Sequence, residues 1–122
     1  MSRPVDMELR KAFVELQHKM IETSQKLRLA DIQIEQLKGV ITHSQLTERE
    51  IKSLPGETKM YQSLGRMFVL SDRGTIESQL QNKVKAVEEK IGTLQNQKSY
   101  LETSLKEAEN NLREMVQQKR SS

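Results

Sequence analysis

Apolar residues recur along two stretches of the chain at alternating steps of 4 and 3 residues. The first stretch is Leu9, Phe13, Leu16, Met20, Thr23, Leu27, Ala30, Ile34, Leu37 and Ile41. The second is Leu80, Val84, Val87, Ile91, Leu94, Lys98, Leu101, Leu105, Ala108, Leu112 and Met115, with one charged intruder at Lys98. This spacing is the a/d seam of a coiled coil. It predicts one helical arm over residues 6–42 and a second over 75–118. At about 1.5 Å per residue the first stripe is roughly 50 Å long, which is the length of an extended arm. Lys98 fits because its stem can cover the seam while its ammonium stays in water. Ile76, Leu80 and Val84 step by 4 and 4 before the strict repeat begins, a stutter that predicts a bend or a change of packing partner.

Between the arms the period changes. Pro4 suits the start of the first helix, and Gly39 with Thr42-His43-Ser44 weakens its far end. Thr47-Glu-Arg-Glu50 has the capping-box pattern and predicts a short helix over 48–54, ended by Pro55-Gly56. Residues 58–72 are rich in strand formers, with Met60 to Leu64 and Met67 to Leu70 flanking Gly65-Arg66. A β-hairpin turning at Leu64-Gly65-Arg66 is predicted, and Asp72 or Thr75 can cap the second arm. Joined by so short a connector, the two arms are predicted to fold back on each other as an antiparallel coiled coil, with the hairpin at the connecting end. The fold class is mainly α, and residues 1–122 form a single domain.

The hairpin carries Met60, Leu64, Phe68, Leu70, Tyr61, Met67 and Val69, so it is apolar on both faces. A lone two-stranded hairpin is marginal in water, and its edges carry unpaired backbone groups. Both deficits are removed when hairpins from several chains pair, so the chain reads as a subunit.

Composition narrows the chemistry. Apolar residues make up 34% and aromatics 3%, which is poor material for a globular core, while 30% charged residues suit solvent-washed helices. The chain has no cysteine, so disulfides, thiolate metal sites and thiol nucleophiles are excluded. His18 and His43 are too far apart on one arm to share a metal. Carboxylate pairs such as Glu88-Glu89 and Asp31 with Glu35 lie on open helices, where nothing desolvates them for acid or base work. No enzyme activity, cofactor or metal is expected. A net charge of +3 spread among mixed signs gives no nucleic-acid-binding arm, and no basic stretch runs into the heptads as in a leucine-zipper DNA binder. Without an apolar leader or a bilayer-spanning run, the expectation is a soluble cytoplasmic protein with no membrane partner.

Several segments resemble the β-type subunits of prefoldin: Val5-Asp-Met-Glu-Leu-Arg-Lys-Ala-Phe13, Leu29-Ala-Asp-Ile-Gln-Ile-Glu-Gln-Leu37, Met60-Tyr61, Gly65-Arg-Met-Phe-Val-Leu70 and Lys98-Ser-Tyr-Leu-Glu102. The tyrosine and glycine of the hairpin, set between two heptad arms, are the most specific of these features. The resemblance covers nearly the whole chain. It implies a subunit of a heterohexameric, ATP-independent chaperone of two α-type and four β-type subunits, whose hairpins form a β-barrel base. It also implies that arm tips hold non-native proteins such as actin and tubulin for delivery to the cytosolic chaperonin. Assembly then falls on Met60, Tyr61, Leu64, Gly65, Arg66, Met67, Phe68, Val69 and Leu70. Client binding falls on Val5, Met7, Leu9, Phe13, Leu112, Met115 and Val116. Leu9, Phe13, Leu112 and Met115 also belong to the seam, whereas Val5, Met7 and Val116 lie off it or before it. A structural or trafficking coiled-coil adaptor is the alternative function for the same stripes.

Overall fold

The computed structural model describes residues 4–121. Helix α1 (Pro4–Ser53) leads into strands β1 (Met60–Leu64) and β2 (Met67–Ser71), and helix α2 (Arg73–Ser121) follows. Two long helices thus bracket an antiparallel β1-β2 hairpin, the architecture expected from the stripes.

The first arm differs from expectation in one respect. Neither a break after residue 42 nor a separate helix over 48–54 is present, because α1 is continuous to Ser53. The seam itself continues through this stretch: Ser44 is only 2% exposed, and Glu48 and Ile51 are half-buried at the next two seam positions. The threonines that pointed to a break are satisfied inside the helix. Thr42 Oγ1 donates to the Lys38 carbonyl at 3.1 Å, and Thr47 Oγ1 donates to the His43 carbonyl at 2.9 Å. A hydroxyl bonded back to i−4 no longer competes for a cap. Glycine in a helix interior costs about 0.5–1 kcal/mol, which the neighbouring seam residues offset at Gly39.

The chain divides into two units, Gln33–Thr93 and Met1–Ile32 with Leu94–Ser122. In the first, which contains the hairpin, the seam buries Ile34, Ser44, Ile76 and Val87. Here α1 and α2 run antiparallel, with Gln81 Nε2 donating to Glu48 Oε1 at 3.1 Å. Arg73 closes the end of α1 by donating to the carbonyls of Leu54 at 2.9 Å and Pro55 at 2.7 Å. A cation there also complements the negative end of the helix dipole. Asp72 is the N-cap of α2: its carbonyl accepts from the Ile76 amide at 3.1 Å and its carboxylate from Thr75 Oγ1 at 3.0 Å. The helix therefore begins at Arg73 rather than 75, and it runs to Ser121 rather than 118.

The other unit pairs the first part of α1 with the last part of α2. Thr23, Ala30 and Leu112 are buried in its seam, and Leu16, Leu27, Leu101, Leu105, Ala108 and Met115 are half-buried. Glu8 meets Lys119 at 3.1 Å, and Asp31 pairs with Lys98, so the helices are antiparallel here too. Lys98 lies over the seam as its stem allows, and the Asp31 hydrogen bond raises its ammonium pKa above the ordinary lysine value. Among the described residues no large side chain is completely covered. The helices are held by a seam, not by a core.

Candidate functional site

Gly65-Arg66 form a two-residue connection between strands paired from Met60↔Ser71 to Leu64↔Met67. Gly65 has φ 63 and no other described residue has positive φ, the pattern of a type II′ turn, whose twist matches the strands it joins. The register then sorts the side chains. Met60, Gln62, Leu64, Met67, Val69 and Ser71 share one face, and Tyr61, Ser63, Phe68 and Leu70 share the other.

The first face is tied to α2 at its base. Ser71 Oγ donates to Gln62 Oε1 at 2.9 Å, and Gln62 Nε2 in turn donates to Gln79 Oε1. These bonds fix the hairpin on the second turn of α2, and Met60 beside them is half-buried. Farther out, Leu64 and Met67 are exposed. The second face is left open by the described residues: Phe68 is 73% exposed, and Tyr61 and Leu70 are also exposed. At about 1.5–3 kcal/mol for each large apolar side chain removed from water, covering these three is worth on the order of 5 kcal/mol. In a ladder closed by the Leu64 and Met67 pair, hydrogen bonding alternates, so the amides of Tyr61, Ser63, Phe68 and Leu70 point to the sheet edges. The open face and the open edges thus belong to the same residues.

The residues expected to hold clients are placed less uniformly. Met7 is 62% exposed and Phe13 is exposed although it lies on the stripe. Leu9, Met115 and Val116 are half-buried, and Leu112 is buried in the seam. Val5 is in the first turn of α1, and its side chain lies outside the described residues. A shallow groove of about 240 Å³ runs beside the seam, lined by Ala12, Glu15, Leu16 and Lys19 of α1 and Ala108, Asn111, Leu112 and Met115 of α2. The stripe alone did not mark Val14 and Ile21, which are large, apolar and exposed on α1. Their mutual spacing of one heptad was the available signal.

Among the described residues no group of His, Cys, Asp or Glu has the placement of a metal site, and no helix is long and apolar enough to cross a membrane.

Comparison with known proteins decides the family. Residues 14–119 match the family described as Prefoldin subunit. Prefoldin subunit 1 of Homo sapiens is 55% identical over 121 residues, covering 99% of both chains. Prefoldin subunit 1 of Arabidopsis thaliana is 41% identical over 113 residues, covering 93% of this chain and 88% of the relative. The chain belongs to the prefoldin family of chaperone subunits. Its fold is also that of the prefoldin beta subunit from Thermococcus strain KS-1, with a TM-score of 0.72 at 21% identity over 88% of this chain and 90% of that one. Two long helices around a hairpin are therefore the prefoldin architecture, and the polar tie from Gln62 and Ser71 to Gln79 is how this chain seats its hairpin on α2.

Proposed function

We propose that the chain is one subunit of a heterohexameric, ATP-independent chaperone, joined through its hairpin to α-type and β-type prefoldin subunits in a β-barrel base. One observation carries this reading: a hairpin apolar on both faces, with Tyr61, Phe68 and Leu70 open to solvent and unpaired amides along its edges. Assembly uses Met60, Tyr61, Leu64, Gly65, Arg66, Met67, Phe68, Val69 and Leu70. Strand addition satisfies the edge amides, while side-chain burial supplies the affinity.

The second half of the function is holding. Val5, Met7, Leu9, Phe13, Met115 and Val116 contact non-native polypeptides, actin and tubulin among them, which pass to the cytosolic chaperonin, and Leu112, buried in the seam, supports them from beneath. Flexible methionines suit a surface that must fit many shapes, and several arms acting together turn weak contacts into firm but reversible capture. The work is cytoplasmic and consumes no nucleotide.

The test is light scattering from actin diluted out of denaturant. The hexamer reassembled with this chain is expected to suppress aggregation, and the mixture of the remaining subunits is expected to suppress it less. Equal suppression with and without the chain would refute the proposal.

A further inference from the structure

In the unit built from the two ends of the chain, the two sides of the helix pair are chemically different. The groove lined by Ala12, Lys19 and Asn111 marks one side of the seam. On the opposite side α1 presents Met7, Val14 and Ile21, one heptad apart and 62%, 51% and 58% exposed. Beside them the stripe residues Phe13 and Met20 remain 46% and 41% exposed. Heptad positions away from the seam ordinarily carry polar side chains. Here an apolar strip runs along the helix and stays more than half exposed.

Charge sorts the same way. Taking heptad positions from the seam, Arg10 and Arg28 of α1 and Lys106, Arg113 and Arg120 of α2 border the apolar strip, and all are exposed. The grooved side collects Glu8, Glu15 and Glu22 of α1 with Glu107 and Glu114 of α2. Glu102 and Glu109 run against the pattern on the first side, and Lys19 and Lys26 on the second. Asp31 is held by Lys98. One side is thus an apolar strip with a basic border, and the other is largely acidic, with Leu29 and Tyr100, 56% and 72% exposed, set singly among its carboxylates.

We propose that the apolar, basic-bordered side is where this unit takes hold of polypeptide, and that it selects segments whose apolar residues are flanked by Asp or Glu. This rests on the holding role proposed above and adds to it a side and a partner chemistry. The Met7, Val14 and Ile21 strip provides affinity without fixing one geometry. The basic border raises the encounter rate of acidic segments and sets their orientation. The carboxylates of the grooved side repel the same segments, so capture occurs from one direction.

Two fluorescein-labelled peptides with the same apolar residues, one flanked by Glu and one by Lys, test this by fluorescence anisotropy with the full chain. The Glu-flanked peptide is expected to bind about tenfold tighter, since several exposed pairs each add a small increment. Its advantage should shrink as salt is raised. Val14→Ser with Ile21→Ser should weaken binding of both peptides while circular dichroism shows unchanged helicity. Arg10→Glu with Arg113→Glu should reverse the preference, and Glu15→Gln with Glu107→Gln should preserve it. Equal binding of the two peptides, or a preference that survives the Arg10 and Arg113 reversal, overturns the proposal. If the reassembled hexamer still suppresses actin aggregation in that case, the holding role stands without the selectivity. If neither peptide binds and aggregation proceeds unchecked, both fall.

Discussion

The hairpin and the helix pair formed by the chain's two ends both leave large apolar side chains in water, but the backbone beside those side chains differs. Around Tyr61, Phe68 and Leu70 the sheet edges offer unpaired amides, and the strands are fixed on α2 by Gln62, Ser71 and Gln79. Around Val14 and Ile21, well inside α1, every backbone group lies within a helix that satisfies it. A surface with open edges is completed by another backbone in one register. A helical surface is completed by side chains alone, and those contacts have no fixed direction. The first is suited to permanent assembly and the second to transient holding.

The comparison breaks most readily at the hairpin. Phe68→Asp puts a charge on the open sheet face, and native mass spectrometry of the chain mixed with the other prefoldin subunits is expected to show loss of the hexamer. A hexamer that tolerates this change would remove the assembly role from the hairpin. Gly65→Val is the next largest effect. An added Cβ at Gly65 meets nothing within 4 Å, so the cost comes only from holding an L-residue at φ 63, about 1–2 kcal/mol. Weaker assembly, read as a smaller hexamer fraction by native mass spectrometry, is expected for the valine and for Gly65→Asn as well, because the first central position of a type II′ turn lies outside the left-handed helical region that asparagine tolerates.

On the helical surface the expected effects are smaller and of another kind. Met7→Ser with Val116→Ser should leave the hexamer intact while reducing suppression of actin aggregation several-fold at limiting chaperone. Parallel loss of assembly would erase the distinction between the two regions. The smallest effect concerns Glu48, whose pKa is lowered first by the hydrogen bond from Gln81 and then by Lys52. A folded pKa below the unfolded one means that its contribution is present above the ordinary glutamate range and is lost as pH falls through the lowered value. Thermal melts should show the wild type approaching Glu48→Gln as the pH drops into that range. A constant gap between them would show that the Gln81 and Lys52 contacts do not lower the Glu48 pKa in solution.

Much of the fold can be read in the residue pattern, and its failures have local causes. The seven-residue period located both helices, because a two-helix seam is the simplest arrangement that buries such a stripe, and the strand formers around Gly65-Arg66 located the hairpin between them. The period did not reveal that α1 continues past residue 42, since Ser44 and Glu48 are polar occupants of seam positions and carry no hydrophobic signal. Thr42 looked like a breaker and Thr47 like the cap of a new helix, and only their bonds to the Lys38 and His43 carbonyls show that they are neither. The hairpin's two-faced apolarity was visible in sequence, but its seating was not. The tie from Gln62 to Gln79 joins residues distant in the chain, and no local pattern links them. Period likewise assigned Phe13 and Met20 to the seam, yet they remain 46% and 41% exposed, because position on a stripe does not ensure that the facing helix supplies a side chain large enough to cover it.

Hydrogen exchange on the chain alone and in the assembled hexamer bears most directly on the contrast between a backbone-completed and a side-chain-completed surface. Amides of Tyr61, Ser63, Phe68 and Leu70 should exchange freely in the lone chain and become protected on assembly, while the α1 segment carrying Val14 and Ile21 changes little. A hexamer that forms with unchanged exchange across the hairpin, or with new protection confined to the α1 segment, would contradict the account.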